Sequence, residues 1–225
     1  MGDVDDSLAR AIEHTLLRAS ATPADVDQLC EEALRYGFCG VCVNPAHVTR
    51  ARACLAGSVL RVVTVAAFPL GANVAAVAAR EAEQAALDGA QEIDLVAPLG
   101  LARAGELGSV TRFVRAVRAA VPSLTLKVIL ETGYFPGAEL ESVARAVLEA
   151  RPDFLKTCTG FGPRGATVQD VERLARAARG RAEVKAAGGI QTAAEARAML
   201  AAGASRIGTS RGVAIVTHPD GVERH

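Results

Sequence analysis

The sequence predicts an α/β chain folded as a single (β/α)8 TIM barrel, and three observations carry that expectation. Short apolar runs alternate with longer Ala-, Leu-, Arg- and Glu-rich stretches whose apolar residues recur at helical spacing, as in VTRFVRAVRAAV and AAEARAMLAAGA. Eight such runs end in Gly, Pro, Asn or Thr. Several intervals between them are close to 30 residues, enough for one strand, two short loops and one helix, with no linker or low-complexity segment anywhere.

Taken in order, the candidate strands lie near 12–15, 40–43, 61–67, 92–96, 124–130, 154–157, 183–186 and 205–208. The third and fifth, RVVTVAAF and LTLKVIL, are nearly continuous apolar segments, as strands covered by helices must be, so the sheet is expected to be parallel. The fourth, EIDLV, holds an acid in its centre; the sixth, seventh and fifth each hold a lysine. The seventh and eighth run into glycine-rich turns. Residues 1–225 read as one domain with short flexible tails at about 1–8 and 218–225.

Composition narrows the partners. Twenty-five basic and 25 acidic residues cancel without forming blocks, which argues against a nucleic-acid or anionic-membrane binder and leaves a small molecule. No apolar run reaches the roughly 18 residues of a membrane span. The start, MGDVDDSLAR, is acidic where a signal peptide is basic, and Asp6 stands where a myristoylated Gly2 would need Ser or Thr. Five cysteines without framework spacing fit reduced thiols and a cytoplasmic location.

The lysines carry the chemistry. Of 25 basic residues only Lys127, Lys156 and Lys185 are lysines; each lies inside an apolar strand run, and consecutive ones are separated by 29 residues. That spacing places them at equivalent points of three consecutive β-α units. Buried amines are costly unless paired or used, and a lysine, unlike an arginine, can shed its proton and attack a carbonyl. Lys156, between two other cations, is expected to lose its proton most readily, although an unknown register leaves Lys185 in the same position. The bland alternative is a set of buried ion pairs with Asp94 or Glu131. Asp94 is expected to be the only acid well inside an apolar strand core, where it would pair with a lysine and relay protons. Glu131, four residues after Lys127, has matching strand parity and is expected to support it.

Past the seventh strand come Gly188 and Gly189; past the eighth come Gly208, Ser210 and Arg211, where barrels commonly bind phosphate. Thr157, Thr159 and Gly160 are expected to add donors. Other patterns mislead. GFGPRG at 160–165 satisfies a dinucleotide-binding spacing but carries a proline and lacks the acid in the right context. Cys39 and Cys42 form a CxxC in a strand with no second pair, and His14, His47, His218 and His225 show no ligand spacing. Core packing is expected for Cys42 and a structural role for His14, with no metal and no cofactor.

IEHTLL, CVNP, FPLGAN, EIDLV, LKVILETG, FLKTCTGFGPRGAT, VKAAGGI and GASRIGTSRGVAIV resemble, in order and over nearly the whole chain, the successive motifs of the deoxyribose-phosphate aldolase family. The resemblance implies a class I aldolase that reversibly cleaves 2-deoxy-D-ribose 5-phosphate to acetaldehyde and glyceraldehyde 3-phosphate. It makes Lys156 the Schiff-base residue, joins Lys185 and Asp94 in a proton relay, and sets Lys127 beside them as a supporting lysine. Glu13 stands where the family often has Asp, Pro98 where Asn is common, and Arg211 where a second phosphate-binding Ser is usual. The chain also ends in Gly-Val-Glu-Arg-His where some relatives carry an active-site tyrosine. Barrels of this kind often form dimers, so a homodimer is one expected assembly. A class I aldolase for another sugar phosphate, or a non-catalytic sugar-phosphate-binding barrel, stands as the alternative.

Overall fold

The computed structural model describes residues 5–218. Within them, eight parallel strands close on themselves in sequence order, with β8 paired to β1. The strands are β1 (Ile12–Leu16), β2 (Gly40–Val43), β3 (Arg61–Ala66), β4 (Glu92–Val96), β5 (Thr125–Ile129), β6 (Phe154–Lys156), β7 (Glu183–Ala187) and β8 (Arg206–Thr209). Each lies within one residue of its expected bounds. The helices outside them are α1 (Asp6–Ala9), α2 (Pro23–Tyr36), α3 (Val48–Cys54), α4 (Ala75–Leu87), α5 (Leu99–Arg103), α6 (Leu107–Ala120), α7 (Gly137–Leu148), α8 (Val168–Ala178), α9 (Ala193–Ala201) and α10 (Gly212–Thr217). Residues 6–8, expected in a flexible tail, form α1, where Leu8 is buried and Arg197 pairs with Asp5 at 2.7 Å. The expected C-terminal tail lies outside the described residues apart from His218.

Local signals set the helix starts. Thr22, Thr167 and Thr192 each cap a helix, and the acid three residues on (Asp25, Asp170, Glu195) returns a hydrogen bond to the cap backbone. The GFGPRG stretch opens no helix; it is the loop between β6 and α8, and α8 begins only at Val168.

Strand parity divides the interior in two. Outward positions such as Val41, Val62, Ile93, Leu95, Val128, Leu155 and Ile207 pack with helix residues into one continuous apolar layer. Inside the barrel, Cys42, Val63 and Val65 form a separate small apolar cluster with Leu17 and Phe68. The other inward positions of β1 and β4–β8 are largely charged. Among the described residues no helix is long and apolar enough to cross a membrane.

The register corrects one expectation. Lys156 is directly paired with Lys185, but its partner on β5 is Ile129, while Lys127 pairs with Asp94 and Phe154. Lys127 therefore sits one inward step, two residues, below the other two lysines. Equal spacing in sequence does not give equal height, because β6 is displaced along β5.

Candidate active site

Asp94 is the centre of the charged interior. It is fully buried, its Oδ1 accepts from Lys127 Nζ at 3.1 Å, and its Oδ2 accepts from both Lys156 Nζ and Lys185 Nζ at 2.6 Å. Around it lie two further buried carboxylates: Glu92, unforeseen in the sequence, and Glu13, noted there only as a departure from the family pattern. Glu13 pairs with Lys185, with Lys127 at 3.4 Å and with Arg206 at 3.0 Å; Glu92 pairs with Lys127 at 2.5 Å and with Arg206 at 3.5 Å. Asp94 is thus not alone among acids in the strand core. Parity carried a signal for Glu92, which lies two residues before Asp94 and must share its face. Glu13 meets Lys185 only because β8 and β1 close the barrel.

Four cations thereby face three carboxylates. Burial pushes Asp94 up, yet the ammonium groups of Lys127, Lys156 and Lys185 outweigh it and hold the carboxyl well below its usual range. Burial likewise opposes ionised Glu13, and Lys127 and Lys185 again win, leaving it lowered. For Lys127 and Lys185 themselves, burial pulls down, but Asp94 and Glu13 dominate and raise both above the ordinary lysine value. Both lysines are held in the charged form in the resting cluster.

Lys156 differs from them. It has one carboxylate partner, Asp94, where Lys127 has three and Lys185 has two, and it alone of the three lines a cavity of about 1000 Å³ at the C-terminal mouth of the barrel. The same cavity is lined by Gly160, Gly188, Gly189, Gly208, Ser210 and Arg211, so the structure brings every expected phosphate-loop residue to the lysine. The backbone N–H groups of Gly160, Gly188, Gly189 and Ser210 have no acceptor among the described residues. Gly188 adopts φ +94°, and a Cβ there would lie 3.0 Å from Cys158 Cβ; Gly208 has Lys185 Cε where its Cβ would be, at 3.0 Å. These two glycines let the chain turn and let the lysine pass. Arg18, unforeseen, also lines the cavity and pairs with Asp25 at 2.6 Å.

Other expectations are corrected. Glu131 does not support Lys127: it has left the strand, takes φ +49°, and its Oε2 accepts from the backbone and hydroxyl of Thr159. Its role is to hold the loop after β6. The hydroxyls expected to serve a ligand are occupied, that of Thr157 by Ala187 O at 2.9 Å and that of Thr159 by Glu131. Cys42 packs against Val63 and Val65, and burial pushes its thiol up to about 11. Cys39 donates to Ile12 O, and His14 Nε2 lies 2.7 Å from Glu32.

A buried amine opening onto a glycine-lined cavity at the C-terminal face of a closed parallel barrel defines an aldolase-type barrel enzyme. The family model described as DeoC/LacD family aldolase matches residues 8–218, and the chain belongs to that family. It is 53% identical over 214 residues to deoxyribose-phosphate aldolase of Thermus thermophilus, covering 95% of this chain and 97% of that protein. To the Deinococcus radiodurans deoxyribose-phosphate aldolase it is 50% identical over 211 residues, covering 94% and 96%. Among solved structures, the aldolase QR15 superposes with a TM-score of 0.89 at 36% identity, over 93% of this chain and 94% of that one. The tetrameric deoxyribose phosphate aldolase of Aeropyrum pernix gives 0.87 at 33%, over 94% and 90%.

Proposed function

We propose that this enzyme reversibly cleaves 2-deoxy-D-ribose 5-phosphate to acetaldehyde and D-glyceraldehyde 3-phosphate through a Schiff base on Lys156. One observation carries the reading: Lys156 is the single lysine of the charged cluster that reaches the cavity with the open glycine N–H groups. The names of the relatives supply the substrate; the cluster supplies the chemistry.

Asp94 Oδ2, 2.6 Å from Lys156 Nζ, is placed to take the proton that the amine must lose. The freed lone pair attacks C1 of the open-chain sugar; loss of water from the carbinolamine leaves a protonated imine. Removal of the 3-hydroxyl proton then breaks the C2–C3 bond, the electron pair moves into the imine to give an enamine, and C3 leaves as the aldehyde of glyceraldehyde 3-phosphate. Protonation at C2 and hydrolysis release acetaldehyde and restore the amine. Lys185, held charged by Glu13 and sharing Asp94 Oδ2, opposes a second positive charge beside it and passes protons through that oxygen. Lys127 anchors Asp94 from below. Gly160, Gly188, Gly189 and Ser210 cradle the phosphate with main-chain donors, Gly208 leaves room beside them, and Arg211 adds a guanidinium.

The resting Lys156–Asp94 ion pair is also what a non-catalytic sugar-phosphate binder would show, and one experiment separates the two. Incubation with the 2-deoxy sugar phosphate, borohydride reduction and peptide mapping should give an adduct on Lys156 that disappears in Lys156→Arg. Binding without an adduct in the unmodified protein would reject the aldolase mechanism.

A further inference from the structure

Two members of the charged cluster are out of reach of anything in the C-terminal cavity. Glu92 and Arg206 lie at the N-terminal ends of β4 and β8 and line a different cavity, of about 1700 Å³, at the opposite mouth of the barrel. Phe154 forms the floor between that cavity and the cluster: its ring has Arg206 at 5.6 Å and Lys127 at 5.9 Å. Past this floor runs an unbroken chain of ion pairs, from Arg206 to Glu92, to Lys127, to Asp94 Oδ1 and, through Oδ2, to Lys156. A parallel branch runs from Arg206 through Glu13 and Lys185 to the same Oδ2.

From this geometry we infer that Glu92 and Arg206 are positioning residues that tune, from the N-terminal mouth, how readily Lys156 becomes the neutral nucleophile. The inference rests on the Schiff-base reading above. The other charged or titratable groups facing the cluster are Glu13 on β1, Cys42 on β2 with Cys39 just before it, Asp94 on β4, Lys127 on β5 and Lys185 on β7; β3 contributes only Val63 and Val65, with Arg61 at the N-terminal rim. Above the amine, Arg18, Glu195 and Arg211 line the cavity. With four cations against three carboxylates, the cluster carries one positive charge in excess. Removing Glu92's charge raises that excess and disfavours a proton on Lys156; removing Arg206's charge abolishes it and favours one. The two changes therefore push in opposite directions, which loss of packing does not do.

The test is the acid limb of kcat/KM together with the pH dependence of borohydride trapping. Glu92→Gln is expected to move the limb to lower pH, and Arg206→Gln to higher pH, each by roughly half to one unit for a unit charge acting across about 10 Å of protein. Arg206→Lys should return the limb to its unmodified position. Limbs that stay fixed, or move the same way, while kcat falls would overturn the inference and leave a structural role. If Arg206→Gln does not fold, Glu92→Gln against Glu92→Asp decides: a shift in the first alone supports the inference, and equal behaviour overturns it. Unmodified protein is the control, because absence of a trapped adduct there overturns the aldolase mechanism itself.

Discussion

The two mouths of the barrel are made by the same eight strands and close their charge in different ways. At the N-terminal mouth the carboxylates of Glu92, Glu149, Asp153 and Glu183 are met by Lys127 and Arg206, by Arg181, by Arg118 and by Ser205. At the C-terminal mouth a lysine with a single carboxylate partner faces main-chain N–H groups that have no acceptor among the described residues. The larger cavity is at the first mouth, and the lysine proposed as nucleophile lines the smaller one at the second. Open main-chain donors beside a lysine with a single carboxylate partner, rather than volume, suit a site for an anionic, electrophilic substrate.

The contrast breaks most completely at Asp94. Asp94→Asn removes the proton acceptor and one of the three negative charges at once, and kcat is expected to fall by about 10²- to 10⁴-fold, the range of a general acid–base group, with phosphate-ester binding measured by calorimetry largely kept. Lys127→Met acts on the closed side: it strips Glu13, Glu92 and Asp94 of a partner, and urea denaturation should show a loss of about 3–5 kcal/mol, as for other broken buried pairs.

pH sharpens the comparison because the matched charges titrate far from neutrality. Asp94 and Glu13 have lowered values in the folded chain, so their contribution is intact above the ordinary carboxylate value of about 4 and is lost as pH falls below it. Lys127 and Lys185 have raised values, so theirs is intact below about 10.4 and is lost as pH rises beyond that. A plot of unfolding midpoint against pH should therefore be flat with respect to this cluster between those limits; a step near pH 7 would contradict the assignment.

Smaller effects belong to the open mouth. Gly188→Ala forces a side chain into φ +94° and against Cys158, and is expected to cost about 1–2 kcal/mol of stability and to raise KM for the phosphorylated sugar more than for 2-deoxyribose. Arg211→Ser should change KM by only a few-fold, in line with the value of about 1 kcal/mol of an exposed charge pair.

Much of this was legible in the sequence, for physical reasons. Runs such as RVVTVAAF mark strands because both faces must be apolar where helices cover the sheet, and Gly-Gly after β7 marks a turn that larger residues resist. The three strand lysines were legible as a group because an amine in such a run demands a partner or a use. What stayed hidden depended on closure and register. Glu13 and Lys185 are 172 residues apart and meet only across the β8–β1 seam. The step between Lys127 and Lys156 is a displacement of two strands that no spacing reveals, and Glu131 kept strand parity in the sequence while its backbone had already turned out of the strand.

The confinement of all three lysines to the interior has a practical reading. All three side-chain amines of the chain are buried, and only Lys156 borders a cavity that a small carbonyl compound can enter. Reagents that decorate ordinary proteins through their surface lysines find no such handle here. A small aldehyde followed by a mild reductant should instead mark one side chain in the folded protein, which makes the intact enzyme its own site-selective label.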